Sequence, residues 1–193
     1  DHTIAAVNLS LEFNDSTNTK YTTESACNTA WASTKALIDS LATRNIPFII
    51  ASGDGGYTNG ITAPACISTA ISVGATTKSD TVASYTNSAS FLDLVAPGHL
   101  IYSSWAASYG TASGTSQAAA HVSGAWALMR QKDPLLTVAD GLAALKDNAK
   151  NVTDTRNNLV LKRIQIDTAL DQLGPRPAIL IAPIDGKRIS TRT

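Results

Sequence analysis

Charge is scarce in this sequence. Only 16% of its 193 residues are Asp, Glu, Lys or Arg, and 15 basic side chains balance 15 acidic ones. Lys and Arg are scattered rather than clustered, which argues against nucleic acid or an anionic membrane surface as the main partner. No stretch approaches the roughly 20 consecutive apolar residues of a membrane span. No leader peptide opens the chain, which starts directly with Asp1-His2-Thr3 and a strand-like run; we read it as a processed or trimmed polypeptide. Internal repeats and low-complexity tracts are missing, which excludes solenoids and repeat arrays. A flavodoxin-like binding module fits poorly, because no glycine-rich phosphate loop follows the first strand-like run.

Cysteine is nearly absent, with only Cys27 and Cys66. Two free thiols are the default in a reducing cell. In a chain so low in charge and rich in Ser, Thr and Asn, the reading favours a disulfide and an exported protein, secreted or periplasmic. Closing a loop of that length stabilises by about 4 kcal/mol on the chain-entropy model.

The chain is long enough for one domain with a real core, since that length buries roughly 70% of the unfolded surface. Ile4 to Leu11 is a short apolar run that predicts a buried strand. Asn14 to Thr23 reads as a loop, and Glu24 to Arg44 has apolar residues near helical spacing. Pro47 to Ala51 predicts a second strand, giving a βαβ unit and a parallel sheet. The turn cluster Ser52-Gly53-Asp54-Gly55-Gly56 then lies at the carboxyl edge, where open α/β sheets place ligands. Further strands are expected over Ala70 to Ala75, Leu92 to Ala96 and Leu100 to Ser104. A helix capped by Thr137 and Asp140 and ending near Ala149, and a short helix over Ile166 to Leu173, complete the reading. Residues 1–174 form the expected domain, and 175–193 read as a linker or the start of a further module.

One stretch is unusual: Gly114-Thr115-Ser116-Gln117-Ala118-Ala119-Ala120-His121-Val122-Ser123-Gly124, with no charged residue until Arg130. It predicts a helix buried on all sides. Taken by itself, Thr115 or Ser116 is an ordinary helix N-cap.

That stretch resembles the nucleophile helix of the subtilases, the subtilisin-like serine peptidases, whose pattern is Gly-Thr-Ser-x-Ala-x-Pro-His-Val-x-Gly. Ala120 stands where the family has proline. The resemblance continues in Ala63 to Gly98 (through SVGA to APG), in IPFIIASGDGG and in VNLSLE, in the family's order, and covers roughly residues 4 to 170. It implies a three-layer α/β fold with a mostly parallel sheet and helices on both faces, and a serine endopeptidase.

The resemblance assigns the nucleophile to Ser116 and one oxyanion donor to its backbone N–H. The family's second donor is an asparagine side chain; here the position is Asp54. An ionised carboxylate cannot donate, so weak activity near neutral pH is implied. Ser10-Leu11-Glu12 and Ala51-Ser52-Gly53 match the rails that hold the substrate backbone and wall the first specificity pocket. Glu12 replaces a family glycine there, which reshapes or blocks the pocket. Ala63-Pro64 matches a pair that is cis in the family, although trans is the default by frequency.

The family's upstream aspartate and His-Gly-Thr-His motifs do not occur, and His2 and His99 lie in unmatched contexts. His121, five residues along the helix from Ser116, points away from it and reads as a satisfied, partly buried histidine. The chain therefore resembles the later part of a subtilase domain, inactive by itself, whose partners are a peptide or protein substrate and the missing upstream part. Calcium is a possible ligand, although no dense carboxylate loop stands out. Two other readings stay open: a degenerate, peptide- or partner-binding subtilase domain, and chemistry like that of the sedolisins, relatives with an aspartate at the oxyanion site.

Overall fold

A computed structural model describes residues 4–13, 20–105 and 107–174. The expected module at 175–193, His2 and most of the Asn14 to Thr23 loop lie outside the described residues. Six strands form the central sheet: β1 (Val7–Leu9), β3 (Phe48–Ala51), β5 (Ile71–Thr76), β6 (Leu94–Pro97), β9 (Lys150–Asp154) and β10 (Leu159–Arg163). Their order is β1-β3-β5-β6-β10-β9. Every neighbouring pair is parallel except β10 with β9, an antiparallel hairpin at one edge. Two small ribbons stand apart: β2 (Lys20–Tyr21) with β4 (Ile61–Thr62), and β7 (Ile101–Trp105) with β8 (Ser108–Ala112).

Side chains alternate across a strand, so a strand covered on both faces must be apolar throughout. Ile49 and Ala51 enter one core cluster and Ile50 the other; Leu94 and Ala96 enter the first, Val95 the second. Helix α3 (Thr115–Lys132) fills the first side through Ala118, Ala119, Val122, Ala125, Trp126 and Met129, and α4 (Val138–Asp147) and α5 (Ile166–Gln172) pack beside it. Helices α1 (Glu24–Ala30) and α2 (Ala32–Ala42) bring Cys27 and Ile38 to the second side. The expected three-layer α/β architecture is what forms. Among the described residues no helix is long and apolar enough to cross a membrane.

Several expectations need correction. Glu24 to Arg44 is two helices rather than one, because Trp31 leaves the helical region (φ −116°, ψ 36°). Trp31 instead packs on Phe13 with the rings tilted by 41° and their centroids 5.0 Å apart, and donates its indole N–H to Tyr21 Oη. Helix α3 is not buried on all sides: Ala120, His121, Gly124, Ala127 and Leu128 are exposed. No described element packs over that face, so the absence of charge along α3 does not by itself secure burial. The β9–β10 hairpin escaped the sequence reading altogether, since KNVTD and LVLKR lack a continuous apolar run.

Cys27 and Cys66 are joined, as expected, with both residues fully buried. The bridge ties α1 to the loop after β4. That loop carries Ala63-Pro64, whose peptide bond is cis, as the resemblance implies against the general frequency.

Candidate functional site

Three chain segments meet at the carboxyl edge of the sheet: the tip of β1, the tip of β3 and the first turn of α3. Beyond its last paired residue each strand continues into a tripeptide, Ser10-Leu11-Glu12 after β1 and Ser52-Gly53-Asp54 after β3. Helix α3 aims its N-terminus at both. Neither Thr115 nor Ser116 caps it; Gly114 holds the N-cap position and offers no side chain. Asp54 caps it from outside, its Oδ1 accepting the Thr115 backbone N–H at 2.8 Å. A carboxylate there meets unpaired N–H groups and the positive end of the helix dipole.

Ser116 is half-buried in the first helical turn, where its N–H has no carbonyl one turn back to bond. Its Oγ donates to Ser10 O at 3.2 Å, and Ser10 Oγ donates to Ser116 O at 3.0 Å. Ser10 Oγ also accepts from Asn8 Nδ2, and Asn8 Oδ1 receives the Ser123 hydroxyl two α3 turns further on. Gly53 N–H donates to Thr115 Oγ1 at 3.2 Å, fastening β3 to the same turn. Gly53 has φ +98°, which a side-chain-bearing residue adopts only with strain, and a Cβ there would lie 2.3 Å from Asn87 Nδ2.

Residues missed by sequence reasoning support these tips. Asn87 donates its side-chain amide to Ser52 O at 3.0 Å and Thr62 its backbone N–H at 3.2 Å, and Ser52 Oγ donates to Asn87 O. All three are buried. Tyr85 donates its hydroxyl to Gly98 O. Burial first, and then the negative charge of Asp54, push its phenol above the usual value. The one signal for this shell is its position, polar residues flanking the apolar strands β5 and β6.

The structure thus brings together Ser10, Glu12, Ser52, Gly53, Asp54 and Ser116, and leaves Leu11 exposed at the rim and Ala51 buried within β3. Among the described residues Ser116 Oγ meets a backbone carbonyl rather than a side-chain base. His121 is exposed, not partly buried, and its Nδ1 lies 2.9 Å from Gln117 O, so that nitrogen carries the proton. His99 packs near Tyr85, and its buried Nδ1 has no hydrogen-bond partner among the described residues. An apolar groove of about 790 Å³ runs from Ser10 and Ser116 along the exposed face of α3, past Trp105, His121, Leu128 and Ile166. Among the described residues no group of three or more His, Cys, Asp or Glu side chains comes together to hold a metal.

The chain is similar to known proteins in sequence and in fold. Alkaline serine exoprotease A of Vibrio alginolyticus is 33% identical over 146 residues, 72% of this chain and 27% of that protein. The extracellular serine proteinase of Thermus sp. is 41% identical over 103 residues, 52% of this chain and 25% of that one. A crystal structure of a cold-adapted subtilisin-like serine proteinase superposes with a TM-score of 0.67 at 31% identity, covering 82% of this chain and 53% of that one. The chain therefore spans between about a quarter and a half of these relatives. The sequence profile described as the Subtilase family matches residues 2–165. With that match over most of its length, and with helix α3, its Gly-Thr-Ser entry and the two strand tips in place, the chain belongs to the subtilase family.

Proposed function

We propose that this chain is the nucleophile-bearing part of a subtilisin-like serine endopeptidase, with Ser116 forming the acyl-enzyme. The observation that carries this reading is the seating of Ser116 Oγ in the first turn of α3, 3.2 Å from Ser10 O. A hydroxyl at a helix N-terminus lies beside free N–H groups that stabilise developing negative charge. Attack on a peptide carbonyl moves the hydroxyl proton to a base and puts the oxyanion against the Ser116 N–H. Asp54 is the second member of the oxyanion site. Its carboxylate accepts from Thr115 N–H as it stands and donates only when protonated.

The base comes from polypeptide outside this chain. Two features favour such a partner: the uncovered face of α3 with its apolar groove, and the outer edge of β1, which among the described residues pairs only with β3. Until that partner is present the chain hydrolyses peptides poorly. Substrate is an extended peptide or protein segment laid along Ser10-Leu11-Glu12 and Ala51-Ser52-Gly53. The buried disulfide and the extracellular relative support secretion.

A fluorophosphonate probe tests the reading on the full-length protein. Covalent labelling that disappears in Ser116→Ala supports it. No labelling favours the second reading, a non-catalytic peptide-binding subtilase domain, for which the Asp54 carboxylate at the oxyanion position is the specific observation.

A further inference from the structure

We propose that Glu12 sets the specificity of the Ser116 site, selecting peptides with a cationic side chain, lysine or arginine, beside the bond that is cut. The proposal rests on the peptidase reading above and deepens it.

Strands β1 and β3 are in parallel register through Leu9 and Ile50. Counting equally along both chains beyond that pair sets Glu12 opposite Gly53. The side chain reaches that far: a Cβ on Gly53 would lie 2.6 Å from Glu12 Oε2 and 2.4 Å from Thr62 Oγ1. The carboxylate therefore sits over the bare α-carbon of Gly53, exposed between the two tips. Those tips also hold the nucleophile, since Ser10 exchanges hydrogen bonds with Ser116 and Gly53 N–H bonds Thr115. Two residues of extended chain separate Ser10 from Glu12, roughly 6–7 Å. Lys and Arg, with their long stems and charged ends, span such a gap.

Glu12 is held in place. Thr62 donates its hydroxyl to Oε2 at 2.8 Å, and the next residue is pinned by Phe13 N–H to Ala63 O at 2.7 Å and by the Phe13–Trp31 ring contact. Yet its charge has no counterion: among the described residues no Lys, Arg or His forms an ion pair with it. A carboxylate is acceptor-only, and among the described residues only one Glu12 oxygen has a donor. A fixed, uncompensated negative charge beside a bound peptide attracts a guanidinium or ammonium group and repels an acidic side chain.

The test compares kcat/KM of the full-length enzyme on peptides with arginine, lysine or norleucine before the scissile bond. We expect the cationic peptides to be preferred, and the cationic-to-norleucine ratio to fall roughly 10- to 100-fold in Glu12→Gln, as for loss of one charged hydrogen-bonding partner. The amide keeps the acceptor for Thr62, so the side chain stays tethered where Glu12 lies. A ratio unchanged in Glu12→Gln, or a wild-type preference for small side chains, overturns the proposal. Calorimetric titration of benzamidine into Ser116→Ala protein needs no turnover. Binding that weakens about tenfold in the Ser116→Ala, Glu12→Gln double variant supports the proposal, and no binding or equal binding overturns it. Failure of Ser116 to label with fluorophosphonate would instead sink the peptidase reading and leave the benzamidine titration to decide Glu12.

Discussion

Ser10 and Ser116, 106 residues apart, hold each other by reciprocal hydrogen bonds, each hydroxyl donating to the other's backbone carbonyl. The pair fastens the tip of β1 to the first turn of α3 and fixes where the Ser116 hydroxyl points. With its proton engaged by a carbonyl, that oxygen is oriented but not activated, because a carbonyl cannot take the proton away.

Ser10→Ala removes the Ser10 Oγ bond to Ser116 O and the acceptor for Asn8 Nδ2, but leaves the Ser10 carbonyl in place. A surface-accessible hydroxyl of this kind contributes about 1 kcal/mol. The urea midpoint of the full-length protein should fall by that amount divided by the m-value, which itself stays unchanged. A larger m-value change would mean that β1 has separated from α3.

Asp54→Asn supplies an N–H donor at the oxyanion position while its Oδ1 can still accept from Thr115 N–H. Removing the corresponding donor from subtilisin, the established case, lowers turnover by about 10²–10³. Restoring one here should raise kcat of the full-length enzyme near neutral pH, by up to about 10²-fold. The same change removes a negative charge from the α3 N-terminus, at a cost of about 0.3–1 kcal/mol in stability. Turnover that stays flat or falls at pH 7 would remove Asp54 from the oxyanion site.

Gly141, in α4, lies against the fully buried ring of Trp126 in α3. A Cβ there would come within 2.5 Å of Cη2 and 2.8 Å of Cζ2. In Gly141→Ala the gain in helix propensity, about 1 kcal/mol, competes with that overlap inside a packed core. Overpacking of this kind costs typically 1–3 kcal/mol, so the variant should be net destabilised. Thermal unfolding at fixed concentration reads the sign directly, and a raised midpoint would show that α4 can shift without loss.

The fold and the site were legible to different degrees, for physical reasons. Parallel strands such as Phe48–Ala51 are covered on both faces, so their composition announces them. Thr137 was legible as a cap because its hydroxyl acts within three residues, accepting from Asp140 N–H. The cap of α3 was not, because Asp54 supplies it from 61 residues away. Asn87 and Thr62 were hidden for the same reason, since their partner Ser52 O is brought to them only by the folded sheet. Edge elements such as the β9–β10 hairpin carry mixed polarity, as one-sided burial demands, and a short mixed run resembles a loop.

Acid should weaken the protein through its paired carboxylates, and Asp154 is the sharpest case. Burial pushes its carboxyl up, but bonds from the Arg156 side chain and backbone and from Ser88, together with the Arg156 charge, outweigh burial and hold it below the ordinary value. Asp39 and Asp80 are lowered too, mainly by bonds from Lys35 and Lys150. A carboxyl lowered on folding contributes stability above its unfolded pKa of about 3.9, and loses it as pH falls through the lower folded value. Glu24 works in the opposite sense: burial, and then Asp93, raise its carboxyl, so its contribution is present in acid and lost as pH rises. Three lowered groups against one raised predict a net fall in stability below about pH 4. Asp154→Asn should destabilise the full-length protein at pH 7, and the gap to wild type should narrow by pH 3, below the unfolded pKa, where the unfolded chain takes up the proton that the folded Asp154 resists. Urea unfolding at both pH values measures the gap. A gap of equal size at both would mean that the loss comes from the geometry of the turn rather than from the ion pair with Arg156.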